Sequence, residues 1–109
     1  MPQRMTKQIA SVLDAFLSDL KREWYGFDLI ERTGLKSGSI YPILHLLEAD
    51  GWLRSAREDI DPSVEGRPAR RLYTLTGLGE REAEAALERR AAAAPSSGVP
   101  RLRLGGASI

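Results

Sequence analysis

Residues 34–51 decide the fold, and they read GLKSGSIYPILHLLEADG. With about 3.6 residues per helical turn, this segment collects four apolar side chains on one side: Ile40, Ile43, Leu44 and Leu47. The opposite side carries small, polar or aromatic residues: Gly38, Tyr41, Pro42, His45 and Ala49. We predict a helix over residues 36–50, with Ser37 as its N-cap and Gly51 as its C-terminal stop. No carboxylate lies between Glu31 and Glu48, so the outward side contains no acidic group that would repel an anion.

Two helices are predicted before this segment. Over residues 6–20, apolar side chains recur at the three-and-four spacing of one helical face: Ile9, Val12, Leu13, Phe16, Leu17 and Leu20. A second, short helix over about residues 25–33 has three apolar positions, namely Phe27, Leu29 and Ile30. Gly34 supplies its left-handed cap. The turn that follows, residues 34–36, is short enough to fix the third helix at a steep angle to the second.

A hairpin and a last helix are predicted after it. Residues 52–57 and 71–76 favour strands, and the charged stretch between them, with Gly66 and two prolines, indicates a long, flexible tip. Three arginines lie at that tip within a span of five residues: Arg67, Arg70 and Arg71. The same loop contains four acids: Glu58, Asp59, Asp61 and Glu65. We therefore expect some of these arginines to form local ion pairs. Thr76 is expected to cap a helix over residues 80–94 that ends at Pro95.

The composition limits the class of protein. A chain of 109 residues is expected to form one small domain, here residues 6–94, followed by a disordered basic tail over residues 95–109. The net charge is −3 over residues 1–88 and +4 over residues 89–109, where Arg89, Arg90, Arg101 and Arg103 lie. There is no cysteine and a single histidine, so we expect no metal, no cofactor and no catalysis. No apolar stretch resembles a signal peptide or a membrane span, so a cytoplasmic location without membrane contact is expected.

The predicted order is that of a winged helix-turn-helix domain, mainly α with a small β-hairpin. A three-helix core carries a wing, and a C-terminal helix follows. In such a domain the third helix projects from the body and enters a DNA major groove, while a basic wing meets the minor groove or the flanking phosphates.

Five blocks of this sequence resemble the PadR family of bacterial transcriptional regulators. They follow one another in the family's order: Tyr25-Gly26-Phe27-Asp28-Leu29-Ile30, the Gly38–Glu48 segment with its Tyr41-Pro42 pair, Gly51-Trp52-Leu53, Gly66-Arg67-Pro68, and Tyr73-Thr74-Leu75-Thr76 with Gly79. The resemblance covers about residues 9–88. It implies a homodimer that binds a palindromic operator, usually as a repressor.

The resemblance and the residue pattern together nominate two groups of side chains. The candidate DNA contacts are Tyr25, Lys36, Ser37, Ser39, Tyr41, His45, Arg67, Arg70 and Arg71. The candidate dimer interface combines the first helix with the C-terminal dimerisation helix, through Ile9, Leu13, Phe16, Leu78 and Leu87.

Several alternatives remain open at this stage. Winged helices also serve as protein-binding modules, and the net charge of −3 over residues 1–88 supports that alternative. Tyr41 packs on the second helix, contacts DNA, or does both. Some members of this family bind flat aromatic compounds at the dimer interface, which makes Trp24 and Trp52 candidates for a small aromatic effector, against the simpler interpretation that both are structural.

Overall fold

The computed structural model describes residues 5–93, and the elements follow one another in the predicted order. They are α1 (Lys7–Ser18), α2 (Gly26–Thr33), α3 (Ser37–Ala49), β1 (Leu53–Arg57), α4 (Pro62–Glu65), β2 (Arg71–Leu75) and α5 (Gly77–Ala93). The predicted basic tail, with Arg101 and Arg103, lies outside the described residues. None of the helices within residues 5–93 is long and apolar enough to cross a membrane.

Helix α1 forms the centre of the core. Thr6 caps it, because its hydroxyl accepts the backbone N–H of Ile9 at 3.1 Å. Its inner face buries five residues: Ile9, Val12, Leu13, Ala15 and Phe16. The helix ends at Ser18, two residues earlier than predicted. Leu20 therefore lies beyond the apolar face and is exposed, so its assignment to that face is wrong.

Helix α2 and the turn after it fix the direction of α3. The backbone of Gly34 adopts φ 76°, and its N–H donates to the carbonyl of Ile30 at 2.9 Å, which confirms the predicted left-handed cap. Leu29 is fully buried, whereas Phe27 is 53% exposed. Of the three apolar positions of this short helix, Phe27 therefore faces solvent.

Helix α3 has the predicted two-sided character. Ile40, Ile43, Leu44 and Leu47 are all buried. The helix begins one residue later than predicted, and the extended backbone of Lys36, not Ser37, occupies the N-cap position. Ser37 as the N-cap is thus wrong: Ser37 is already the first helical residue, and no side chain caps this end.

The hairpin, hereafter the wing (residues 53–75), is an antiparallel pair with Leu53 opposite Leu75 and Arg57 opposite Arg71. Its tip is more ordered than predicted, because it contains the helical turn α4. Asp61 caps that turn by accepting the N–H of Ser63 at 3.0 Å, and Pro62 occupies the first turn, where its fixed φ favours helix.

A third backbone segment pairs with the wing. Trp24 and Tyr73 exchange two hydrogen bonds, of 2.9 and 2.7 Å, so the chain before α2 runs along the edge of β2. This bridge joins the wing directly to the start of the helix-turn-helix.

Helix α5 begins three residues before the predicted start and is the longest element in the described chain, at 17 residues. Thr76 caps it as predicted, since its hydroxyl accepts the N–H of Gly79 at 2.9 Å. The helix packs so closely on the start of β1 that a Cβ on Gly79 would lie 2.0 Å from the Trp52 carbonyl oxygen. Glycine is therefore required at residue 79 by the backbone of Trp52.

Candidate nucleic-acid interface

The outward side of α3 is exposed along its whole length. Five residues form this surface: Gly38, Tyr41, Pro42, His45 and Ala49. It contains hydroxyl, imidazole and small apolar groups, and no carboxylate. Such a surface can approach base edges closely and donate hydrogen bonds, as a helix in a major groove must.

Lys36, Ser37 and Ser39 lie at the N-terminal end of α3. Lys36 and Ser37 are exposed, while Ser39 is half-buried. The free backbone N–H groups of a helix N-terminus favour an anion, and the ammonium group of Lys36 adds positive charge there. Lys36 and Ser37 are therefore accessible to an anion such as a phosphate. Ser39 has less exposed surface than Ser37.

Tyr41 packs on α2 and still presents part of its ring to solvent. An added Cβ on Gly26 would lie 2.2 Å from the Tyr41 hydroxyl oxygen and 2.5 Å from Cζ. The ring therefore lies directly on the backbone of Gly26, yet Tyr41 remains 42% exposed. Both interpretations of Tyr41 are compatible with this geometry, because the contact with Gly26 fixes the ring without burying it.

Arg67 forms a two-pronged ion pair with Glu58. Its Nη1 and Nη2 atoms donate to Oε1 and Oε2 at 2.8 and 3.1 Å, and the backbone N–H of Arg70 donates to the same Oε1 at 3.1 Å. Hydrogen bonding from the Arg67 side chain, followed by that from the Arg70 backbone, lowers the pKa of Glu58 from 4.5 to about 2. The expectation of local ion pairs in this loop is confirmed for Arg67.

Arg70 and Arg71 are also held by neighbours. The guanidinium of Arg70 lies 4.3 Å from the centre of the Tyr25 ring, a cation–π contact between the wing and the start of α2. Arg71 donates to the hydroxyl of Ser55 at 3.0 Å, and that hydroxyl donates to Glu48 on α3 at 2.7 Å. Two separate contacts therefore fix the wing against the helix pair.

The charge of the wing tip is close to balanced. Within residues 58–71 there are three arginines and four acids, which gives a net charge of −1. Asp59, Asp61 and Glu65 are all exposed. Any attraction of an anion to the tip therefore depends on where its guanidinium groups lie, and not on an excess of positive charge.

The predicted interface residues of the first helix lie elsewhere. Ile9, Leu13 and Phe16 are 6, 0 and 1% exposed in the core of the chain itself. This corrects their assignment, because side chains already packed inside one copy offer no surface to another. Leu78 is exposed on α5, and Leu87 is half-buried in an open groove between α1 and α5.

Neither tryptophan offers an aromatic surface to a ligand. Trp24 and Trp52 are 2 and 3% exposed. Trp24 is covered on one side by Arg22, whose guanidinium lies 3.9 Å from the ring centre, and it packs near Phe16 at a centroid distance of 6.1 Å. Effector binding on either ring is therefore not supported, and the structural interpretation of both residues holds.

Sequence reasoning assigned no role to two residues that shape this surface, Gly26 and Asp28. Gly26 makes room for the ring of Tyr41. Asp28 accepts the backbone N–H of Tyr25 at 3.4 Å and pairs with Arg22 at 3.4 Å. The Tyr25-Gly26 pair was visible in the sequence as a motif, but the contact with Tyr41 joins residues on two helices and has no local signal.

A short helix, a projecting helix with an exposed polar side and a hairpin packed beside them define a winged helix-turn-helix domain. Residues 17–85 match the transcriptional regulator PadR-like family. The chain therefore belongs to that family, as its sequence blocks predicted. No curated protein matches the chain.

The fold is similar to solved structures of bacterial proteins. A PadR family transcriptional regulator from Eggerthella lenta superposes with a TM-score of 0.62 at 22% identity, over 78% of this chain and 76% of that one. The Staphylococcus aureus MepR–DNA complex gives 0.62 at 15% identity, over 81% and 66%. BpsR of Bordetella bronchiseptica, whose DNA binding is regulated by 6-hydroxynicotinic acid, gives 0.64 at 19% identity, over 84% and 61%.

At these identities the similarity establishes the winged-helix fold. The present chain spans 57–66% of the MepR chains and 61% of BpsR.

Proposed function

We propose that this protein is a sequence-specific DNA-binding transcriptional regulator, a dimeric repressor that reads a palindromic operator. The observation that carries the proposal is the exposed, carboxylate-free side of α3, held at a fixed angle by the Gly34 turn. Membership of a family of transcriptional regulators supports it. In each half-site α3 lies in the major groove, and the wing lies on the neighbouring backbone.

Tyr41 is the residue on which specific recognition depends most in this proposal. The hydroxyl end of its ring lies against Gly26, which fixes the side chain, and 42% of the residue is still exposed on α3. A side chain that is already ordered loses little conformational entropy when it contacts a base, so its contact contributes more to binding.

The test compares Tyr41→Ala with Tyr41→Phe on a selected operator and on a scrambled duplex. Tyr41→Ala should weaken operator binding by about 5- to 150-fold, the effect of losing one base contact of about 1–3 kcal/mol, and should change scrambled-duplex binding little. Tyr41→Phe removes only the hydroxyl and keeps the ring. It therefore distinguishes the contribution of the hydroxyl to binding from that of the ring. Equal losses on the two duplexes would remove Tyr41 from the readout.

Dimerisation is proposed through α5 and the outer side of α1. Leu78 is 42% exposed, and the groove between these helices is lined by Lys7, Ala10, Ser11, Asp14, Leu87 and Arg90. A two-fold dimer would place two copies of α3 about one DNA turn apart, roughly 34 Å. Light scattering that gives the mass of a single chain at the concentrations used for DNA binding would contradict this part of the proposal.

A protein-binding module is the second candidate function, and the negative charge of residues 1–88 favours it. Heparin retention at low salt separates the two candidates, once Arg89, Arg90, Arg101 and Arg103 are replaced by Gln to remove the contribution of the basic C-terminal region. A DNA-binding protein stays on the column through its wing and α3. A protein-binding module of this charge elutes in the first wash.

Control by a small aromatic effector remains a prediction. Because both tryptophans are buried, such a ligand would bind at a surface other than their rings, and the proposed dimer interface is the candidate. A panel of aromatic acids that changes neither the melting temperature nor the operator affinity would argue against it.

A further inference from the structure

Three donors in the wing converge on one point and form a cradle for an anion. They are Nη1 and Nη2 of Arg67 and the backbone N–H of Arg70, at 2.8, 3.1 and 3.1 Å from the Glu58 oxygens. A guanidinium that presents two parallel N–H groups binds phosphate in the same way as it binds a carboxylate. The backbone N–H makes the arrangement more specific than a lone arginine.

The cradle lies at the surface, where a DNA strand can reach it. The side chain of Arg67 is 33% exposed, whereas that of Glu58 is 18% exposed. The neighbouring Arg70 bridges from the wing to Tyr25 at the start of α2, so the cradle lies close to the beginning of the helix-turn-helix. Its position is also fixed by the backbone, since the Glu58 N–H donates to the Arg70 carbonyl at 2.7 Å.

We propose that these three donors form a binding site for a DNA backbone phosphate and that Glu58 fills this site in the free protein. Glu58 is then an intramolecular competitor of DNA. Phosphate gains the donors of Arg67 and Arg70 only by displacing the carboxylate, which keeps the affinity of the wing for any DNA below what its arginines would otherwise provide. This inference rests on the proposed DNA-binding function.

A purely structural role for Glu58 makes the opposite prediction. If the carboxylate only positions Arg67 for DNA, its loss should weaken binding, because Arg67 would become mobile. The sign of the change in DNA affinity therefore separates competition from positioning.

The experiment compares Glu58→Gln with Asp59→Asn as a matched control. Both variants replace one carboxylate by an amide in the same loop, but Asp59 forms no ion pair within residues 5–93. The amide oxygen of the new glutamine can accept the Arg70 N–H as Glu58 Oε1 does, so we expect the wing to keep its shape. Thermal unfolding of each variant checks that it folds.

Glu58→Gln should bind both a selected operator and a scrambled duplex several-fold more tightly than Asp59→Asn does. The excess should disappear when Arg67→Ala is added to both variants, because the cradle then has no guanidinium. A Glu58→Gln protein that binds no more tightly than Asp59→Asn, or more weakly, overturns the inference while wild-type operator binding upholds the proposed function. Wild-type protein that binds no duplex overturns both.

Discussion

Replacing Gly79 by alanine should destabilise the protein although alanine favours helices. An added Cβ would lie 2.0 Å from the carbonyl oxygen of Trp52 and 2.7 Å from its carbonyl carbon. Ordinary van der Waals contact begins at 3.4 Å, so α5 or the start of β1 has to move by about 1.4 Å. Backbone atoms cannot relieve this contact by rotating about a side-chain bond. Trp52 also accepts the backbone N–H of Thr76 at 3.0 Å, a hydrogen bond that the movement strains.

The expected cost combines three contributions. Overpacking costs about 1–3 kcal/mol, and weakening the Thr76 cap costs about 1 kcal/mol. Helix propensity returns about 1 kcal/mol on replacement of glycine by alanine. Gly79→Ala should therefore lose about 2 kcal/mol of unfolding free energy, a fall in melting temperature of about 8–16 °C for a domain of this size.

Urea unfolding followed by tryptophan fluorescence measures this loss directly, since Trp24 and Trp52 are both buried. Gly77→Ala is the matched control in the same helix, because a Cβ there meets nothing nearer than Arg81 at 3.7 Å. It should be at least as stable as the wild type, with a gain of up to about 1 kcal/mol from helix propensity. If the two variants unfold at the same urea concentration, the close approach of α5 to Trp52 is refuted.

Two further predictions concern the DNA-binding surface. Gly26→Ala should push the Tyr41 ring outward and weaken operator binding about 5- to 150-fold. Its stability should change little, because the added Cβ meets the end of a partly exposed side chain. Gly38→Ala is the control for stability, since a Cβ there meets nothing within 4 Å. Unchanged operator binding by Gly26→Ala, or a loss of stability well above that of Gly38→Ala, would contradict this. Because Arg67 lowers the pKa of Glu58 to about 2, the contribution of their pair to stability is complete above pH 4.5 and is lost as the pH falls toward 2. The unfolding free energies of wild type and Glu58→Gln should therefore converge over that window, and a constant difference down to pH 2 would count against the pair.

Most of the fold follows from local patterns in the sequence. The side of α3 that is buried, the Gly34 cap and the Thr76 cap depend on residues a few positions apart, so periodicity and capping rules predict them. The α4 turn also has a local signal in Asp61-Pro62-Ser63, but the density of charge there favoured an open loop. Leu20 was misassigned because periodicity does not show where a helix stops.

The contacts that shape the candidate site were less predictable. Gly26 with Tyr41 and Arg70 with Tyr25 join segments far apart in the chain. Such contacts depend on how α2 packs against α3 and the wing, which no local pattern specifies. Apolar periodicity likewise cannot tell a core from an oligomer interface, and Phe16 was therefore assigned to the dimer although it lies in the core.

The central claim is that α3 reads DNA sequence, and selection from a random duplex library followed by gel-shift titration tests it most directly. The account predicts an enriched palindrome whose half-sites lie about one helical turn apart. The purified protein should bind this palindrome about a thousandfold or more above a scrambled duplex. Selection that enriches no sequence, with equal retardation of selected and scrambled duplexes, would contradict the claim.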